Sequence, residues 1–88
     1  MTWEIDYTST AKAQLRKLDK QMARRILDYM DERIAGKGNP RNMGKALTGK
    51  LGDLWRYRVG DYRIICEIQD NALRVLVVQV GNRSEVYR

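Results

Sequence analysis

The sequence predicts an α+β fold: an N-terminal strand, an αα-hairpin, then a three-stranded antiparallel meander, with the helices packed on one face of the sheet. Three observations carry this prediction. Apolar residues recur at helical spacing between Ala11 and Ile34, and they alternate with polar residues from Leu54 onward. A glycine-rich stretch that fits neither period separates the two regimes.

Trp3-Glu4-Ile5-Asp6-Tyr7 alternates apolar and polar, the pattern of a short half-buried strand. Thr8, Ser9 and Thr10 then offer hydroxyls that can cap a helix. Within that helix Ala11, Leu15 and Leu18 form a narrow apolar stripe, and Lys12 and Arg16 lie beside each other on another face. Asp19 is a second candidate cap. Met22, Ile26, Met30 and Ile34, joined by Tyr29, continue the period to Gly36, which is placed to end the helix as the residue just past it. Two helices with almost no loop between them read as a hairpin, and their methionines as core filler.

Residues 36–53 resist a regular assignment. Gly36, Gly38, Pro40, Gly44, Gly49 and Gly52 break the period, and Lys37, Arg41, Lys45 and Lys50 face a single acid, Asp53. A connection of this length is either a solvated loop or a functional one. Three strands follow, Leu54 to Val59, Tyr62 to Gln69 and Leu73 to Val80, punctuated by Gly60-Asp61 and Asp70-Asn71. With 88 residues there is room for one domain, 1–88, and one core.

Both dipeptides suit two-residue hairpin turns, and that reading fixes a register. Arg58 then pairs with Arg63, Arg56 with Ile65, Glu67 with Arg74, Ile65 with Leu76 and Arg63 with Val78. Paired residues share a face. Trp55, Tyr57, Val59, Tyr62, Ile64, Cys66, Ile68, Leu73, Val75 and Val77 fall on the face that receives the helices. Arg56, Arg58, Arg63, Ile65, Glu67, Arg74, Leu76, Val78 and Val80 fall on the other. Glu67 against Arg74 reads as a cross-strand ion pair. Arg58 against Arg63 is a like-charge pair, which either brackets an anion or splays its long stems into water.

The formal charge of +6 and a pI near 9.8 favour an anionic partner: RNA, DNA, a membrane surface or an acidic protein. Histidine is absent, which removes the usual acid/base at neutral pH, and the lone Cys66 can form neither an internal disulfide nor a cysteine metal site. No apolar run approaches 18 residues and no signal peptide opens the chain, so a cytoplasmic protein with no membrane partner is expected. Arg83 follows the last strand closely. Tyr87 reads equally well as a base-stacking platform or as a C-terminal core anchor.

The stretch Leu54-Trp55-Arg56-Tyr57-Arg58-Val59-Gly60-Asp61-Tyr62-Arg63-Ile64, with Val78-Gln79-Val80-Gly81-Asn82-Arg83-Ser84-Glu85-Val86-Tyr87, resembles the RelE branch of the RelE/ParE toxin superfamily. The resemblance implies a type II toxin neutralised by a RelB-like antitoxin, which enters the ribosomal A site and cuts mRNA there without metal or cofactor. Operator DNA would be met only through the antitoxin complex. Carried over by position, the catalytic set falls on Arg56, Arg58, Arg63, Arg83 and Tyr87, with Lys45 and Lys50 joining Arg56, Arg58 and Arg63 in RNA binding. The chain departs from well-known members in having Arg56 and Arg58 where they have lysines and Asn82 where many have histidine. It also ends at Arg88, without the extra helix some carry.

RNA cleavage without metal needs the 2′-hydroxyl deprotonated, the phosphorane charge stabilised and the leaving 5′-oxygen protonated. Arginine suits the middle task and is a poor base, its pKa lying above about 12. Glu85 is the carboxylate with suitable base chemistry, though an exposed carboxylate in a tail usually just pairs with an arginine; Tyr87, Lys50 and ribosomal groups are the other candidates for proton work. Two alternatives stay open: a ParE-like toxin acting on DNA gyrase through protein contact, and a degenerate toxin that only binds antitoxin and operator DNA.

Overall fold

In a computed structural model of the chain, which describes residues 3–36, 38–47 and 54–82, the expected meander forms the centre of a larger mixed sheet. The strands are β1 (Glu4–Tyr7), β2 (Lys45–Ala46), β3 (Leu54–Val59), β4 (Tyr62–Gln69) and β5 (Arg74–Asn82), arranged β1-β5-β4-β3-β2. β1 runs parallel to β5 at one edge; the other neighbours are antiparallel. Between β1 and β2 come α1 (Ser9–Arg16) and α2 (Lys20–Tyr29). None of the helices among the described residues is long and apolar enough to cross a membrane.

Both helix starts follow the residues that the sequence offers. The Thr8 hydroxyl accepts from the Ala11 amide at 3.1 Å, and Asp19 accepts from the Gln21 and Met22 amides at 2.7 and 3.3 Å. Past Tyr29 the chain continues in a wider, π-type winding over Met30–Ala35, which keeps Met30, Ile34 and Ala35 buried. Gly36 ends it with φ −95°, so its role is not that of a left-handed cap. Ala11, Leu15, Ile26, Met30 and Ile34 pack against Tyr57, Val59, Ile64, Cys66, Val75, Val77 and Val80 to form the core. Each large aliphatic side chain so buried contributes about 1.5–3 kcal/mol. Burial pushes the Cys66 thiol well above its ordinary pKa, leaving it an inert core residue.

The first hairpin has the expected register, with Val59 opposite Tyr62, Arg58 opposite Arg63 and Arg56 opposite Ile65. Gly60 takes φ +60° in its two-residue turn. The second hairpin differs. Asp70–Ala72 forms a helical turn and Leu73 adopts a left-handed conformation, φ 49°, so four residues make the link and Leu73 lies outside β5. The pairing slides by two: Gln69 faces Arg74 and Glu67 faces Leu76. An irregularity then follows, with Cys66 facing Val77 but Ile65 facing Gln79. The extra residue, Val78, inverts the alternation beyond it, as a bulge does. Val80 therefore faces Ile64 in the core, not the outer face, and Gly81 rather than Val78 faces Arg63.

These shifts also undo the expected Glu67–Arg74 pair. The Arg74 ε-nitrogen lies 3.0 Å from Asp6 and 3.5 Å from Glu4, both on β1, close enough for charge pairing though not aligned for a hydrogen bond. Its Nη1 donates to Gln69, whose amide donates to Glu67 at 2.7 Å. Beyond Tyr7 the edge of β5 is closed by α1: the Thr8 hydroxyl donates to the Val78 carbonyl at 3.3 Å, and the Val80 amide to the Gln14 side chain at 2.6 Å.

The described part of the stretch before β3, residues 38–47, is tied to the sheet at Pro40 and Met43. Trp55 Nε1 donates to the Met43 carbonyl at 2.6 Å, and the buried Tyr57 hydroxyl to the Pro40 carbonyl at 2.7 Å. Arg41 grips Asp70 through two bonds of 2.8 and 2.9 Å, and this guanidinium holds the Asp70 carboxyl below its usual range. Tyr57→Phe strands the buried Pro40 carbonyl, so a loss of about 1–2 kcal/mol is expected. Thermal denaturation checks it, at roughly 4–8 °C for each kcal/mol.

Candidate nucleic-acid interface

On the sheet face away from the helices, register alone brings four basic residues together. Lys45 is opposite Arg56 across β2–β3, and Arg58 is opposite Arg63 across β3–β4. Arg56 and Arg58 are two residues apart and so share that face. With neighbouring strands about 4.8 Å apart, the four cations sit within roughly 10 Å of one another across three strands. Two like-charged cross-strand pairs side by side are unfavourable for a sheet that only has to fold.

The surroundings sort the four. Lys45 and Arg58 are exposed, while Arg56 and Arg63 are half-buried, and neither Arg56 nor Arg63 is without a partner. Arg58 bends back so that its Nε donates to the Gly60 carbonyl at 3.3 Å. This bond turns the Arg58 guanidinium toward the β3–β4 turn. Ile65, nearly fully buried at 4% exposure, sits in register between Arg56 and Gln79. Gly81 puts no side chain opposite Arg63.

Charge is distributed unevenly over this face. Glu4 and Asp6 at the β1 edge neutralise Arg74, so the cationic character belongs to the β2–β4 side. Glu67, expected on this face as the partner of Arg74, instead faces Leu54 and Leu76, diagonal to Arg56.

Lys50, Arg83, Glu85 and Tyr87, named with this set from the sequence, lie outside the described residues. Tyr7 and Tyr57 cannot replace Tyr87: both belong to the core-facing set, and burial raises both hydroxyls far above the ordinary tyrosine range. Chemically, the described face can bind phosphate oxygens and stabilise growing negative charge.

Residues 5–87 match the family described as the ParE toxin of the type II toxin–antitoxin system parDE. The chain is 30% identical to Toxin RelE of Mycobacterium tuberculosis over 86 residues, covering 98% of this chain and 87% of that protein. It is 26% identical to Toxin RelG of the same organism, over 100% of this chain and 99% of the relative. Among solved structures, the RelBE2 toxin–antitoxin complex of M. tuberculosis shares the fold with a TM-score of 0.85 at 24% identity, over 97% of this chain and 95% of that one. The archaeal RelE–RelB complex of Pyrococcus horikoshii OT3 gives a TM-score of 0.73 at 27% identity, over 98% and 100%.

Proposed function

This chain belongs to the RelE/ParE superfamily of type II toxins, in its RelE branch, and we propose that it is a metal-independent endoribonuclease that cuts mRNA in the ribosomal A site. The observation that supports this reading best is the convergence of Lys45, Arg56, Arg58 and Arg63 on one sheet face. Arg56 and Arg63 act on the scissile phosphate, where held guanidiniums stabilise the charge that develops in the phosphorane. Lys45 and the more exposed Arg58 hold the flanking backbone, and Lys50 adds to them. Arg83 completes the cationic set, and Tyr87 stacks on a base.

In this scheme the 2′-oxygen attacks phosphorus, the bond to the 5′-oxygen breaks, and the two protons move through Glu85, Tyr87 or ribosomal groups. Orientation of the mRNA for in-line attack contributes several kcal/mol more. A RelB-like antitoxin is the partner we infer, since the M. tuberculosis and P. horikoshii structures are toxin–antitoxin complexes. Operator DNA is reached through that complex.

Mapping of mRNA 5′ ends after induction tests the reading. Cuts inside codons that vanish when translation is blocked are expected. A DNA-damage response with intact mRNA would instead identify gyrase as the target, and normal growth would identify a degenerate toxin.

A further inference from the structure

Beyond its bulge, β5 has a strand on one side only. β1 ends with Tyr7 opposite Val77, so residues 78–82 pair with β4 and turn their other edge to α1. Side chains of α1 and its cap meet that edge. The Thr8 hydroxyl donates to the Val78 carbonyl at 3.3 Å, and the Val80 amide donates to Gln14 Oε1 at 2.6 Å. Gln14 is half-buried in the last turn of α1. A cleft of about 370 Å³ opens beside this bond, between Gln14, Lys17, Tyr62 and Asn82. Packing alone therefore does not clamp helix and strand together there.

The bulge makes this arm of β5 a choice between two registers. With the extra residue at Val78, Val80 faces Ile64 in the core and Gly81 faces Arg63. Continued without it from the Cys66–Val77 pair, Gln79 would face Ile64 and Val80 would face Arg63. A slip of one residue moves each side chain of the arm to the other face. Val78 and Val80 are identical, so neither marks the correct face. Gln79 opposes the slip, because its amide would enter the core.

Gln14 opposes it from the helix. In an antiparallel ladder successive residues point their amides to opposite edges of the strand. The slip therefore turns the Val80 amide toward β4 and takes the donor away from Gln14. Without the Gln14 acceptor the balance reverses: the amide loses its partner in the bulged register and gains one in the slipped register.

The two registers differ at the residue across from Arg63. Glycine puts no side chain there, whereas valine would set a branched one, its Cβ about 5 Å from that of Arg63. Gly81 and Asn82, which lead directly into Arg83, would exchange faces as well. We propose, resting on the reading that Arg63 acts on the scissile phosphate, that Gln14 is a positioning residue for cleavage. Its bond to the Val80 amide selects the register in which glycine, not valine, stands opposite Arg63.

Gln14→Leu removes the acceptor with little change of volume, and Gln14→Glu keeps an oxygen in its place. On programmed ribosomes, single-turnover cleavage by Gln14→Leu should slow roughly tenfold, the scale of one lost hydrogen bond. The toxin concentration giving half-maximal rate should not change, and Gln14→Glu should cut at close to the wild-type rate. Asp19→Ala, which strips the cap of α2, should melt roughly 4–8 °C lower yet cut like wild type while folded. In NMR spectra of the free chain, the cross-strand contact of Arg63 should pass from Gly81 to Val80 in Gln14→Leu alone. Wild-type cleavage by Gln14→Leu, an equal slowing of Asp19→Ala, or an Arg63–Gly81 contact that persists in Gln14→Leu would overturn the proposal. A wild-type chain that cuts no mRNA would remove the nuclease reading, and the NMR contacts would still decide the register.

Discussion

Arg63→Ala is expected to lower single-turnover cleavage on programmed ribosomes by roughly 10²–10³-fold, the cost of deleting one preorganised donor to a developing oxyanion. Induced cells should grow. Arg63 is the sharpest choice because its position is determined from two sides, by Arg58 on β3 and by Gly81 on β5. Its half-buried stem limits the rotamers available to the guanidinium, and such restriction is what makes a donor cost little to organise during reaction. Stability should move by no more than about 1 kcal/mol, because the loss of local contacts is offset by relief of the Arg58 repulsion. Arg63→Lys retains charge without the planar donor fork, so an intermediate defect is expected. Full toxicity of Arg63→Ala, with normal expression, would remove this residue from the site.

Much of that sheet face was legible in the sequence, and the reason is local. Gly60-Asp61 is a strong two-residue turn signal, and a two-residue turn fixes the register of everything next to it. Arg56, Arg58 and Arg63 therefore fall on one face by counting alone. The second hairpin could not be counted the same way. Asp70-Asn71 looks like an equally good turn, but Leu73 takes a left-handed conformation that nothing in a leucine advertises, and the slide of two residues follows from it. The irregularity at Val78 is likewise silent in sequence, since Val77, Val78 and Val80 are all apolar and suit either face. Hence Val80 was assigned to the wrong side and Glu67 to the wrong partner.

Lys45 shows a different limit. It was legible as a basic residue but not as a strand residue, because a two-residue strand has no periodicity to detect. Gln14 and Val80 are separated by 66 positions, and only the docking of α1 beside β5 brings them together. Contacts of that range depend on how whole elements pack, which no local pattern encodes.

Gly44→Ala is the substitution expected to damage the fold most, and it explains how Lys45 comes to stand beside Arg56. Gly44 has φ +74°, and an added Cβ would collide with the Arg56 carbonyl oxygen while lying 2.8 Å from Tyr57 Cδ1 and 2.9 Å from Trp55 Nε1. Backbone strain costs about 1–2 kcal/mol and overpacking about 1–3 kcal/mol. Together these remove a large share of the roughly 4–13 kcal/mol available to a domain of this size, or roughly 10–30 °C in melting temperature. Gly38→Ala separates the two terms, since Gly38 has φ +85° but nothing within 4 Å of its Cβ position. Its melting temperature should fall by the strain contribution alone. Equal losses for the two variants would mean that close approach at Gly44 is not what seats β2. If Gly44→Ala is the more damaging, cleavage should remain impaired even at temperatures where the variant is folded. The methyl group pushes β2 from β3 at the point where the Lys45–Arg56 pair is made, so the absence of one side chain positions a charge on the face we propose to bind RNA.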